Sequence, residues 1–128
     1  MADPQLNFPI EEIPDADAVF LRAHRNLLRD GEIVPGVFRS HEAGMSVDWS
    51  KYATPEYTRL RARKPLENAV LALIVGEIRA IVGLAVHHSP QSDNQAHSDV
   101  ILPEQGEDLT EARIKLGRIA SFAIPLGA

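Results

Sequence analysis

The sequence predicts an α+β fold in which a mixed or antiparallel sheet of about five short strands is covered by two or three helices. Two observations indicate this class: short apolar runs alternate with turn residues, and two segments carry clear signals for the start of a helix. A length of 128 residues, 45% of them hydrophobic, suffices for a single domain with a buried core. We expect that domain to span residues 15–128, after an extended arm of residues 1–14 that contains Pro4, Pro9 and Pro14.

The apolar runs predict the strands. The run of residues 18–24 alternates in a way that fits a strand about as well as a helix capped by Asp15, and the strand is the favoured interpretation. The run of residues 68–75 lacks polar alternation, which is typical of a central strand covered on both faces. The other predicted extended segments are residues 37–40, 45–49, 84–88 and 97–102.

One helix has its start marked by three consecutive residues. Thr54 is a favoured N-cap, Pro55 suits the first helical position, and Glu56 suits the positive end of the helix dipole. Pro65 disfavours a helical conformation of the residue before it, so we expect this helix to end near Lys64.

Two further helical segments follow. Residues 76–82 predict one or two helical turns that Gly83 closes. Asp108 and Glu111 have the spacing of a capping box, which predicts the start of a last helix that Pro125 ends. The apolar residues of this helix recur at intervals of three and four and form one stripe: Leu109, Ala112, Leu116, Ile119 and Ala123.

Composition and charge argue against several classes of function. The net charge of −5 and the pI of about 5.5 argue against broad binding to a nucleic-acid backbone. The chain has no cysteine, which excludes disulfides and thiolate metal sites. The N-terminal residues lack the pattern of a signal peptide, and the longest apolar run, residues 69–75, is far shorter than the ~20 residues of a membrane-spanning helix. We therefore expect a soluble cytoplasmic protein without a membrane segment.

The basic residues are concentrated in one part of the chain. Nine of the thirteen lie between Arg22 and Lys64, and four of these lie within residues 59–64. A solvated helix face is the favoured interpretation of that short run, and a local patch that contacts an anion or RNA is the alternative.

Four residues in or beside the apolar runs predict a site. Arg22 and His24 are two positions apart, so on a strand both side chains project from the same face. His97 begins another predicted strand, and Ser46 lies in a third. Because an ionisable group is costly to bury without a partner, we expect these side chains to line one pocket, with Arg25 as a second cation beside it.

This set of side chains suits phosphate chemistry. Two imidazoles, which exchange protons near neutral pH, can act as base and acid across one substrate, while a guanidinium stabilises charge that develops on a phosphate. His24, His97 and Ser46 are therefore the candidate catalytic residues, and Arg22 and Arg25 the candidate binding residues. Ser46 is a hydroxyl donor, or a nucleophile if a base lies beside it. The sequence predicts no cofactor and no metal site.

The remaining histidines and the tryptophan have structural interpretations. His41 lies in a predicted surface loop. His87 and His88 are adjacent on a predicted strand and point to opposite faces, so we expect one to be packed, the other exposed, and no shared metal. Trp49 is predicted to be a core residue rather than part of a lid or a partner surface.

The segments around the candidate residues resemble a family of short bacterial proteins to which no activity is assigned. The family's pattern contains R-x-H, L-S-V and P-x-H-A-x-I segments, which correspond to residues 20–24, 45–47 and 95–100. The chain departs from the pattern at several positions. Arg25 and Gln95 replace prolines, Ser98 replaces an alanine, and the serine expected before Phe38 is missing. The resemblance supports the pocket hypothesis and adds no chemistry.

Two classes of function follow from these features. The first is a pocket directed at a phosphate-containing ligand, a nucleotide or RNA. It would belong to a binding protein or to an enzyme of RNA cleavage or ADP-ribosyl transfer. The second is a non-catalytic interaction module or accessory subunit, with a protein partner or a homo-oligomer, that uses the arm and the helix at residues 55–64. An exposed apolar patch or an oligomer favours the module, and a polar cleft in a monomer favours the pocket.

Overall fold

The computed structural model of the chain describes residues 7–41 and 44–127 and shows one antiparallel sheet of six strands with three α-helices. The predicted α+β class is confirmed, with six strands where about five were expected. The strands lie in the order β4-β5-β2-β1-β3-β6. Their bounds are β1 Ala18–His24, β2 Met45–Trp49, β3 Asn68–Ile74, β4 Ala85–His88, β5 His97–Ile101 and β6 Ser121–Ile124. The helices are α1 Pro55–Leu60, α2 Val75–Arg79 and α3 Gly106–Ile119.

The register of the strands determines which side chains share a face of the sheet. Phe20 of β1 pairs with Asp48 of β2, and Asp48 pairs with His97 of β5, so these three residues project from the same face. Ser46 pairs with Asp99 and lies two residues from Asp48, so it belongs to that face as well. We call this side of the sheet the polar face.

The opposite face of the sheet carries the hydrophobic core. Trp49, the one tryptophan of the chain, is 1% exposed there, which confirms its prediction as a core residue. Two helices close this side, because Ile78 of α2 and Leu116 of α3 belong to the same cluster of buried residues. The strands contribute alternate residues to the cluster: Val19, Leu21, Ala23, Met45, Val47, Ala69, Leu71, Leu73, Val86 and Val100.

The start of α1 is confirmed in detail, and its end is earlier than expected. Thr54 caps the helix by accepting a hydrogen bond from Tyr57 N at 3.1 Å. The helix ends at Leu60 rather than Lys64, and the Ala62 N–H donates to the Arg59 carbonyl at 3.1 Å in a tighter, 3₁₀-type turn. The predicted strand at residues 37–40 is wrong. Residues Pro35–Val37 form a 3₁₀ turn with proline at its first position.

The C-terminal segment also differs from its prediction. The last helix begins at Gly106 after Gln105, so Asp108 lies in the first turn, where its charge still favours the helix N-terminus, rather than at the N-cap. It ends at Ile119, because the backbone turns extended at Ala120. The residues that follow form β6, which pairs with β3 at the edge of the sheet.

The chain before β1 contains no helix or strand over residues 7–14, and residues 1–6 of the predicted arm lie outside the described residues, as do Glu42 and Ala43. Ile13 of this segment is 1% exposed and belongs to the core cluster. Arg79 of α2 donates to the Ile13 carbonyl at 2.7 Å and pairs with Asp15. This part of the arm is thus packed into the fold, and the domain bounds at residues 15–128 stay a prediction.

Candidate functional site

A cavity of about 270 Å³ opens on the polar face between the sheet, α1 and the turn that precedes β5. It contains three of the residues that the sequence selected, Arg22, Ser46 and His97. The other polar side chains that line it are Asp48, Thr58, Arg61, Gln91 and Asn94. The strand register explains this convergence, because β2 lies between the strands that carry Arg22 and His97.

Ser46 and His97 form a hydrogen-bonded pair in this cavity. The Ser46 Oγ lies 3.2 Å from His97 Nε2. The two residues are diagonal neighbours on β2 and β5, since His97 is the direct partner of Asp48. The sequence alone identifies no base for Ser46, whereas the structure places the His97 imidazole beside its hydroxyl.

The other ring nitrogen of His97 faces Ser89, which follows β4. Nδ1 lies 2.9 Å from the Ser89 carbonyl oxygen and 3.1 Å from Ser89 Oγ. Ser89 Oγ in turn donates to Asp99 Oδ2 at 2.6 Å. Asp99 is buried, and no described residue donates a hydrogen bond to its Oδ1. The imidazole therefore contacts the Ser46 hydroxyl on the cavity side and Ser89 on the other side, and the buried Asp99 carboxylate lies beyond Ser89.

Two guanidinium groups line the cavity. Arg22 reaches α1 and donates to the Thr58 carbonyl at 3.2 Å. Arg61 pairs with Asp93 at 3.3 Å and lies over the ring of Tyr57. Partial burial lowers the pKa of Arg61, but the hydrogen bond to Asp93 and the interaction with Tyr57 outweigh that effect and hold the pKa above its ordinary range. Arg61 is thus a fixed positive charge.

Asp48 is the buried anchor of the cavity wall. Its carboxylate accepts from Thr58 Oγ1 at 2.8 Å on one oxygen and from Asn94 Nδ2 at 2.8 Å on the other. All three side chains are less than 6% exposed. Asp48 thereby joins α1 and the turn before β5 to the centre of the sheet, and its two oxygens are engaged within the protein.

His24 and Arg25 are not among the residues that line this cavity. His24 lies at the end of β1, beyond the two residues of that strand that pair with β2, and its partner on the other side is Asn68. Its Nδ1 accepts from Asn26 N at 3.1 Å and caps a 3₁₀ turn. Arg25 forms a 3.0 Å ion pair with Glu67. The expected pocket with two imidazoles is therefore not the geometry of this fold, although Arg22, Ser46 and His97 do converge.

Several residues of the cavity were not selected from the sequence. Arg61 belongs to the basic run of residues 59–64, for which a solvated helix face is the favoured interpretation and an anion-contacting patch the alternative, and the structure places this residue in the cavity wall. Asp48 and Asn94 of the cavity wall, and Asp99 behind His97, carry no motif, since their roles come from contacts with other parts of the fold. The signal available for Asp99 was its place in the same predicted strand as His97, two residues away and on the same face.

The burial of His87 and His88 agrees with the expectation that one is packed and the other exposed. His88 is 3% exposed, accepts from Glu11 N at 2.9 Å through Nδ1 and faces the Gln95 carbonyl through Nε2, whereas His87 is exposed.

Within residues 7–41 and 44–127, no group of three or more histidine, aspartate or glutamate side chains is arranged to hold a metal ion. Across that same part of the chain, none of the helices has the length and apolar character that spanning a bilayer requires.

Comparison of the chain with models of protein families, with curated proteins and with solved structures gives no match.

Proposed function

We propose that the cavity on the polar face binds the phosphate group of a small ligand, such as a nucleotide or the end of an RNA chain. One observation carries the proposal: two arginines, a serine hydroxyl and an imidazole line the same polar cavity. Guanidinium groups recognise phosphate through paired, charge-assisted hydrogen bonds, and hydroxyl and imidazole groups supply further polar contacts.

The charges around the cavity support an anionic ligand. Asp48 is the acidic residue of the lining, and both of its oxygens already accept hydrogen bonds from Thr58 and Asn94. The partner of Arg61 is Asp93, whose side chain is 73% exposed, so their ion pair is weak and a phosphate can compete for the guanidinium.

The size of the cavity and the total charge limit the class of ligand. A volume of about 270 Å³ accommodates a phosphate with a small attached group rather than a long buried polymer. The net charge of −5 opposes extended contact with a nucleic-acid backbone. A mononucleotide or a single terminal phosphate satisfies both limits.

Calorimetric titration with inorganic phosphate and with adenosine 5′-monophosphate tests the proposal. Arg22→Gln removes one guanidinium from the cavity and should weaken binding by about tenfold or more, the usual effect of losing one charge-assisted hydrogen bond. Arg29→Gln removes the same charge from an exposed position outside the lining and should change the affinity less than about twofold.

Two outcomes would overturn the proposal. Equal losses in the Arg22 and Arg29 variants would indicate a general charge effect, and absence of binding by both probes would exclude a phosphate site. In the second case, a dimer or larger oligomer in solution would favour the interaction module that the sequence also allowed.

A further inference from the structure

The hydrogen bonds around His97 have a defined direction. A carbonyl oxygen only accepts, so the contact of 2.9 Å between Nδ1 and the Ser89 carbonyl requires the proton of the neutral ring to be on Nδ1. Nε2 then carries a lone pair, and the Ser46 hydroxyl at 3.2 Å is its donor. This is the protonation state in which an imidazole can take a proton from a serine.

The hydrogen bond between Ser89 and Asp99 also has a defined direction. A carboxylate also only accepts, so the Ser89 hydroxyl donates to Asp99 at 2.6 Å and leaves its lone pairs toward His97 Nδ1. Asp99 is 8% exposed, and its other oxygen accepts from no described residue. When the ring gains a second proton, the nearby buried carboxylate stabilises the positive charge through the Ser89 hydroxyl.

From this arrangement we infer that Ser46 is a nucleophile toward phosphate esters, with His97 as its general base and Ser89 and Asp99 as positioning residues. The inference rests on the proposed phosphate site, because Arg22 and Arg61 of the same cavity would hold the substrate and stabilise charge on its oxygens. It goes beyond that site because it assigns a reaction and a covalent intermediate.

The reaction has two balanced steps. In the first, Ser46 Oγ forms a bond to phosphorus as the bond to the ester oxygen breaks, and the Ser46 proton passes through His97 Nε2 to the departing alcohol. In the second, water attacks phosphorus, gives a proton to His97 Nε2, and the Oγ–phosphorus bond breaks as Oγ recovers that proton. The sum converts a phosphate ester and water into an alcohol and inorganic phosphate.

A fluorophosphonate probe tests the nucleophile without knowledge of the natural substrate. Displacement of fluoride by Ser46 Oγ gives a stable adduct that intact mass and peptide mapping locate. We expect the adduct on Ser46 and none on Ser92, an exposed serine of the nearby turn that serves as an internal control. His97→Ala should slow labelling by about 100-fold, the lower end of the effect of a general base.

The positioning residues have a smaller expected effect and an additional readout. Asp99→Asn should slow labelling by about tenfold, because the Ser89 carbonyl still orients the ring while the carboxylate charge is lost. Ring ¹⁵N chemical shifts should show the Nδ1-protonated tautomer of His97 in the wild type. If the His97 variant does not fold, the Asp99 variant and these shifts provide the test, and an Nε2-protonated ring would overturn the assignment.

The outcomes separate this inference from the proposed function. Phosphate binding that requires Arg22, combined with labelling of Ser46 no faster than Ser92, would overturn only the nucleophile. Rapid labelling of Ser46 without phosphate binding would overturn the proposed ligand and with it the phosphate-ester substrate. Labelling that is unchanged in the His97 variant would overturn the role of His97.

Discussion

Replacement of Asp48 by alanine provides the sharpest test of how the cavity wall is held together. The carboxylate is buried and accepts one hydrogen bond from Thr58 and one from Asn94, each at 2.8 Å. Asp48→Ala removes both bonds at once. It leaves two donors, themselves 2% and 4% exposed, without their acceptor.

The expected cost follows from these two bonds. Hydrogen bonds to charged groups contribute about 1.5–3 kcal/mol each, so the pair represents about 3–6 kcal/mol. Removal of a buried carboxylate also relieves its desolvation, which offsets part of that loss. We expect the free energy of unfolding to fall by about 2–4 kcal/mol, within the 5–15 kcal/mol typical of a domain, so the variant should still fold.

Urea unfolding followed by far-UV circular dichroism measures this difference, with the shift in midpoint at constant slope as the readout. Ser46→Ala is the matched control, because Ser46 lies on the same strand and the same face but is exposed, and we expect a change within about 0.5 kcal/mol. A double-mutant cycle with Asn94→Ala should give a coupling of at least about 0.5 kcal/mol, as for residues in direct contact. A change below 0.5 kcal/mol for Asp48→Ala, or additive effects in the cycle, would refute this reasoning.

Two further predictions concern the arm and a backbone contact. Hydrogen bonds from Lys51 and Tyr52 lower the pKa of Glu11 below its ordinary 4.5, so their contribution to holding the arm is present above pH 4.5 and lost as the pH falls through the lowered pKa. Below pH 4.5, amides 10–13 of the wild type should therefore exchange faster than their intrinsic pH dependence predicts, whereas those of Glu11→Gln should not. Identical pH profiles of exchange in the two proteins would contradict this expectation. Gly44 has a φ of +122°, and an added Cβ would lie 2.8 Å from the Val100 carbonyl oxygen, so Gly44→Ala should lower the free energy of unfolding by more than about 1 kcal/mol. Gly36→Ala, with an ordinary φ and nothing within 4 Å of its Cβ, should be nearly neutral in the same urea experiment, and equal losses would show that the contact is unimportant.

Local signals in the sequence were sufficient for most of the elements. Alternation over residues 18–24, the uniform apolar run of β3 and the Thr54 cap all have short-range causes, and each element is present. The end of α3 shows the limit of such signals. Ala123 lies four residues after Ile119 and so continues the helical stripe. However, the four residues of β6 are too few to distinguish the period of a helix from that of a strand, and pairing with β3 places them in a strand.

The candidate site, like the fold, follows only in part from local patterns in the sequence. The shared face of Arg22 and His24 follows from spacing alone and is correct, but spacing does not tell how far the neighbouring strand extends. β2 pairs with Val19 and Phe20 of β1, and the cavity is lined by Arg22, two residues after Phe20 on the same face, but not by His24, two residues further along the strand. The hydrogen bond between Ser46 and His97 depends on the register between two strands about fifty residues apart, which no local pattern specifies.

The measurement that tests the central claim most directly is an NMR titration of ¹⁵N-labelled protein with inorganic phosphate. The account predicts saturable shifts that are concentrated at Ser46, His97 and the guanidinium groups of Arg22 and Arg61, and that are lost in Arg22→Gln. Shifts that are spread over the exposed basic residues, or that remain in this variant, would contradict a phosphate site on the polar face.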